Sequence, residues 1–172
     1  LSRYDQGFTH IGCLNQYCYT QVEDSIAWVS ASDKSGISVY MLDGLNPRRI
    51  STPAIDNQLS LVGSTSVYMT SAKIVGKTFL VITCSSSTFV YIIEDDMWHE
   101  WSSTVPLWHV LSGTSAGNRV IYAISKSSTT GKVFIIDPAN LVYTDNSAAY
   151  TMTLQTVRFD AETINWKFLN RL

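Results

Sequence analysis

The sequence predicts an all-β protein: part of a β-propeller, about three four-stranded blades plus terminal strands. One hairpin pattern is written three times, from Ala27-Trp28-Val29 to Val39-Tyr40-Met41-Leu42-Asp43, from Thr78-Phe79-Leu80 to Val90-Tyr91-Ile92-Ile93-Glu94, and from Ile121-Tyr122-Ala123 to Val133-Phe134-Ile135-Ile136-Asp137. In each copy two aromatic residues stand twelve apart (Trp28/Tyr40, Phe79/Tyr91, Tyr122/Phe134), and the copies recur at intervals of 51 and 43 residues. An even spacing about a turn predicts both rings on one sheet face. The period is that of propeller blades, which bury their apolar faces only by stacking on neighbours. Composition agrees: 45% of the 172 residues are hydrophobic and 15% charged, too apolar for disorder and too poorly charged for a coiled coil.

The first blade is expected over 11–53, the second over 61–104 and the third over 105–146, with terminal strands in 149–172, all in one partial propeller spanning 1–172. Inner strands are placed near Tyr17–Gln21, Val67–Lys73 and Leu107–Ser112, each ahead of its hairpin. Outer strands follow acidic turns: Asp43-Gly44-Leu45-Asn46-Pro47-Arg48-Arg49-Ile50-Ser51-Thr52 aligns with Glu94-Asp95-Asp96-Met97-Trp98-His99-Glu100-Trp101-Ser102-Ser103. The third copy, from Asp137 to Asp145, has the turn but a weaker outer strand. Thr52–Ser60 and Ser102–Pro106 read as connections, because Pro53 and Pro106 resist strand continuation. Residues 54–61 are expected to form a single helical turn or a short helix, and no segment reads as a capped helix of three turns. Tyr150–Phe159 reads as a long strand, and Trp166-Lys167-Phe168-Leu169 starts another. Three blades do not close a ring of the usual four to eight, so the expectation is a piece of a larger propeller. The absent initiator Met and the apolar ending Phe168-Leu169-Asn170-Arg171-Leu172 point the same way.

A net charge of −2 excludes a broad electrostatic footprint for nucleic acid, and Arg48-Arg49 reads first as the solvated side of an edge strand. No sequence-specific nucleic-acid binding is expected. No apolar run reaches the length of a membrane span, and Leu1-Ser2-Arg3-Tyr4-Asp5 lacks the shape of a signal peptide. Three cysteines, Cys13, Cys18 and Cys84, are too few for a disulfide framework and read as free thiols of a reducing cytosol.

Candidate chemistry is sparse. His10, Cys13 and Cys18 fall within nine residues, but zinc needs a fourth ligand or an open catalytic position, and no second ligand pair follows. The expectation is no metal and no cofactor. Glu94, Asp95, Asp96 and His99 would suit acid–base work if they converged, yet all four fall at a predicted water-exposed turn. The aromatic region around His99 and His109, with Trp98, Trp101 and Trp108, is the one surface candidate for gripping a sugar ring or a partner. Blade packing explains Trp98 or Trp101 equally well. There is no G-x-S-x-G, no P-loop and no G-x-G-x-x-G. Ala31 to Ser38 matches the Asp-box of sialidase propellers only superficially, with Ser and Gly at the wrong offsets and no Trp. No catalytic residue is assigned, and the chain is expected not to be an enzyme.

The stretch from Val90 to Trp101 is similar to the end of a kelch-type blade, without that repeat's paired glycines. A closer resemblance joins three stretches: Tyr40-Met41-Leu42-Asp43-Gly44-Leu45-Asn46-Pro47-Arg48-Arg49-Ile50-Ser51-Thr52-Pro53-Ala54-Ile55, Phe89-Val90-Tyr91 through Trp98-His99-Glu100, and Gly131-Lys132-Val133-Phe134-Ile135-Ile136-Asp137-Pro138. Together they resemble the propeller of tail-hub or packaged-DNA stabilisation proteins of short-tailed bacteriophages and related prophages, over roughly 11–172. That resemblance implies a non-enzymatic virion protein of the tail or neck, made in the host cytoplasm. It also implies a homo-oligomeric ring below the portal and adaptor, holding packaged DNA in and offering attachment points for tail spikes or the tail needle. The rival functions are a carbohydrate-binding or carbohydrate-active propeller using Trp98, Trp101, Trp108 and the nearby acids, and a kelch-like interaction scaffold.

Overall fold

Short runs rich in β-branched and aromatic residues, separated by Gly-, Asp- and Asn-containing turns, fold into successive antiparallel meanders. The computed structural model describes residues 11–32, 36–62, 67–84, 87–101, 107–115, 118–125, 131–136, 144–145 and 148–149. The first sheet orders β1 (Tyr19–Val22), β2 (Ser25–Ser32), β3 (Gly36–Asp43) and β4 (Asn46–Arg49) side by side. The second orders β5 (Tyr68–Ile74), β6 (Lys77–Thr83), β7 (Thr88–Ile92) and β8 (Met97–Trp101). The third contains β9 (Leu107–Ser115), β10 (Asn118–Ser125) and β11 (Val133–Ile136).

The outer strand expected for the third blade falls largely outside the described residues. Of that stretch, β12 (Thr144–Asp145) pairs with β13 (Ala148–Ala149) rather than with β11. The strands expected at 150–159 and 166–169 also lie outside the described residues, as does the connection 102–106.

Side-chain alternation builds two cores. Ala27, Val29 and Val39 of the first sheet meet Met69, Leu80, Ile82, Phe89 and Tyr91 of the second. The opposite face of the second sheet, with Ala72, Val81 and Val90, meets Val110, Ile121 and Ala123 of the third. Covered on both faces, β6 is buried almost throughout, which is why Leu80-Val81-Ile82-Thr83 reads as an unbroken run instead of an alternation. Each fully buried Leu or Ile stabilises by ~1.5–3 kcal/mol.

Two expectations are corrected. The connection after β4 takes the longer of its two expected forms, a ten-residue helix, α1 (Pro53–Val62), and what is overturned is the expectation that no segment forms a capped helix close to three turns long. Thr52 caps it: its hydroxyl accepts from the Ile55 amide at 3.4 Å and its carbonyl from the Asp56 amide at 3.0 Å. Pro53 breaks the strand and, at the first helical position, starts the helix. Ile55, Leu59 and Val62 then recur at helical spacing and pack on the core between the first two sheets.

The second correction concerns the aromatic pairs. Trp28 does stand opposite Tyr40, with stacked rings 5.9 Å apart. In the next hairpin, however, Phe79 opposes Ile92 and Tyr91 opposes Leu80; in the third, Tyr122 opposes Ile135 and Phe134 opposes Ala123. The reason is one residue of loop. Three residues separate the paired ends Ser32 and Gly36, whereas four separate Thr83 and Thr88. A one-residue slip sends a side chain to the other face. Tyr40, Tyr91 and Phe134 are therefore the equivalent positions, opposed by Trp28, Leu80 and Ala123.

Candidate functional site

The three tryptophans singled out by sequence do not form one platform. Trp98 and Trp101 are three residues apart on β8, so they point to opposite faces. Trp98 packs beside Tyr91, ring centroids 5.1 Å apart, and its Nε1 donates to the carbonyl of Ile50, the residue after β4, at 2.9 Å. Trp101 packs against Phe79 at 6.0 Å, toward the core shared with the third sheet. Both serve packing, each in a different core. Trp108 contributes backbone to β9, and its side chain, like that of His109, lies outside the described residues.

The acidic turn also disperses its charges. Both Glu94 carboxylate oxygens accept from the Thr78 amide, at 2.8 and 2.9 Å. Burial pulls the Glu94 pKa upward, but the Thr78 amide, its own amide, the Thr78 hydroxyl and Lys73 outweigh it, leaving the carboxyl below its ordinary value. Asp95 pairs with Lys77, and Asp96 accepts from the Tyr91 hydroxyl. Burial, then the Asp96 carboxylate, pushes the Tyr91 phenol up to about 12 against the opposing Arg48 guanidinium. His99 stands not in the turn but on β8, opposite Val90 and exposed. The three acids thus have separate partners, and His99 stands apart from them on β8.

Two of the three cysteines, Cys18 and Cys84, are small buried groups. Cys18 donates to the Val67 carbonyl at 3.0 Å, and exposed Cys13 donates to the Asn15 carbonyl at 3.0 Å. Burial pushes the Cys18 and Cys84 thiols up to about 12, so neither supplies a thiolate near neutral pH. His10 lies outside the described residues. Among the described residues no three His, Cys, Asp or Glu side chains gather to hold a metal ion, and no helix is long and apolar enough to cross a membrane. Of the basic pair, Arg49 is engaged with Asp56 of α1 and ties the outer strand to the helix.

What sequence reasoning missed is a polar seam between the inner strands of neighbouring sheets. The Met69 amide donates to the Tyr17 carbonyl at 2.9 Å, Asn15 Nδ2 to the Val67 carbonyl at 3.2 Å, and the Ser71 hydroxyl to the Gln21 carbonyl at 2.7 Å. The Thr20 hydroxyl reaches Ser71 Oγ at 3.3 Å, and Lys73 Nζ pairs with Glu23 at 3.2 Å. The side-chain members of this seam lie 49 to 52 residues apart. The 51-residue repeat was the signal, since equivalent inner strands become neighbours. At one end of the seam a cleft of about 410 Å³ opens between Gln21, Glu23, Ser71, Lys73, Thr78 and Ile121, drawing walls from all three sheets. The arrangement braces one sheet against the next and presents polar groups at fixed positions.

Comparison with individually curated proteins gives no match. A family model described as Phage_stabilise, Bacteriophage P22 Gp10, beta-propeller, matches residues 3–148. The matched region takes in every strand of the three sheets, and its description agrees with successive antiparallel sheets stacked face to face. By that match and that architecture, the chain belongs to the phage stabilisation family of β-propeller proteins typified by P22 Gp10.

Proposed function

We propose that this chain is a non-enzymatic structural part of a phage tail or neck, acting as a hub or head-completion piece that keeps packaged DNA in and docks other tail proteins. The observation that carries this reading is the family match over residues 3–148, which makes the chain a phage structural protein. The stacked sheets support the docking role: a surface held by two cores and a hydrogen-bonded seam loses little entropy when a partner binds. In this reading the protein is made in the host cytoplasm and ends in the virion tail, in a homo-oligomeric ring contacting the portal, the adaptor, and a tail spike or needle. It reads no DNA sequence. The carbohydrate reading is the weaker one, because Trp98 and Trp101 are committed to opposite cores. The kelch-like scaffold has no observation of its own in its favour. Cryo-electron microscopy of the source virion, with mass spectrometry of its purified proteins, is the test. Density for these sheets at the neck or tail is expected, and absence of the chain from the particle would overturn the proposal.

A further inference from the structure

The cleft at the end of the seam gathers polar groups over an apolar base, and every residue lining it is among those described. Its volume of about 410 Å³ is that of a ligand pocket. Val22, Ala72 and Ile121, each 4% exposed, form the base, while Gln21, Glu23 and Lys73 stand exposed at the rim. Glu23 is held in place from several sides. Its backbone lies in the left-handed region at φ 51, its carbonyl accepts from Gln21 Nε2 at 3.0 Å, and its Oε1 accepts from Lys73 Nζ at 3.2 Å and from the Thr78 hydroxyl at 3.5 Å. That pattern leaves two acceptors, Glu23 Oε2 and Gln21 Oε1, without a protein partner among the described residues. Charge points the same way. Lys73 serves Glu23 by contact and Glu94 through its field, so these three groups carry one net negative charge.

We infer that this cleft takes an arginine side chain of a partner protein. A guanidinium offers its donors in a rigid fork, enough for a carboxylate oxygen and an amide oxygen together, and its weakly hydrated face can lie on the apolar base. A lysine ammonium is a compact, strongly hydrated charge and gains less from that base. A divalent cation finds no set of three ligating side chains among the described residues. The inference deepens the docking role proposed above and rests on it for the source of the arginine. Its test needs only the chain in solution, so a failure there leaves the analysis of the virion untouched.

Amide-resolved NMR titration of the chain with N-acetylarginine amide tests it. A dissociation constant of about 1–10 mM is expected, because one side chain supplies a small part of an interface, with shifts at the Gln21, Glu23, Ser71 and Thr78 amides. N-acetylcitrulline amide, which keeps the shape without the charge, should bind at least about tenfold more weakly. Two substitutions break the same ion pair and should act in opposite senses. Glu23→Gln weakens arginine binding by about tenfold, whereas Lys73→Met removes the competing ammonium and tightens it by about threefold. A role in bracing the sheets alone would move both variants in one direction. Melting curves show whether each variant is folded; should Glu23→Gln not fold, Gln21→Leu removes the second acceptor and should weaken binding by about threefold. No shift up to about 50 mM arginine derivative, equal binding of the citrulline derivative, or weaker binding in both folded ion-pair variants overturns the inference.

Discussion

Val75 sits at φ 48 in the turn between β5 and β6, next to Gly76 at φ 81. Two consecutive left-handed residues make the turn type favoured in tight hairpins, where Asn-Gly fits best and a β-branched residue is strained. The side chain is 84% exposed and returns no packing for that strain. Val75→Asn should therefore stabilise by ~1 kcal/mol, read as a higher urea midpoint at unchanged slope. Glu94 offers a test by pH. Its folded pKa lies below the ordinary 4.5, so its contribution is present above that value and is lost as pH falls through the lowered one. Glu94→Gln keeps one carbonyl acceptor for the Thr78 amide and removes the titration. Its melting temperature should fall less steeply than the parent's on acidification below pH 4.5, and parallel curves would refute the assignment. Neither detail was legible in the sequence: Val75 falls between the expected inner strand and its hairpin with no turn assigned to it, and Glu94 looked like one more solvated acid.

At the scale of elements, the sequence exposed the strands more readily than their pairing. Alternation and turn residues located the hairpins, but the face each aromatic occupies depended on a single loop residue, which gapless alignment of the repeat hid. The helix after β4 was left open between one turn and a short helix because Pro53 was weighed as a strand breaker, although Ile55, Leu59 and Val62 already carried the helical spacing. Close packing adds a constraint that no pattern announces. A Cβ at Gly113 of β9 would lie 2.9 Å from Tyr122 Cε2 on β10, where only a bare backbone admits the ring. Gly113→Ala should cost about 1–3 kcal/mol by displacing that ring. Gly113→Ala combined with Tyr122→Leu should recover much of the loss, and equilibrium denaturation of the single and double variants measures the coupling.

For the whole molecule, stability rests on the central sheet, whose two faces serve both cores. Leu80 and Val81 are adjacent and buried, yet one faces the first sheet and the other the third. Leu80→Ala should cost ~2–5 kcal/mol, with one transition in guanidinium shifted as a unit. A split into two transitions would mean that the sheets unfold separately. From the sequence alone came the all-β class, the repeated hairpins, the order of the units and the family resemblance, because side-chain alternation and turn chemistry are local and the repeat period is countable. Only the tertiary structure decided which face each aromatic occupies and that Trp98 and Trp101 serve different cores. It alone revealed that inner strands about fifty residues apart are laced together and that Trp28 and Tyr40 stack on the face of the first sheet opposite to the one that meets the second. Those outcomes depend on register and on the stacking of whole sheets, and a one-residue change in loop length reverses them without altering any local pattern.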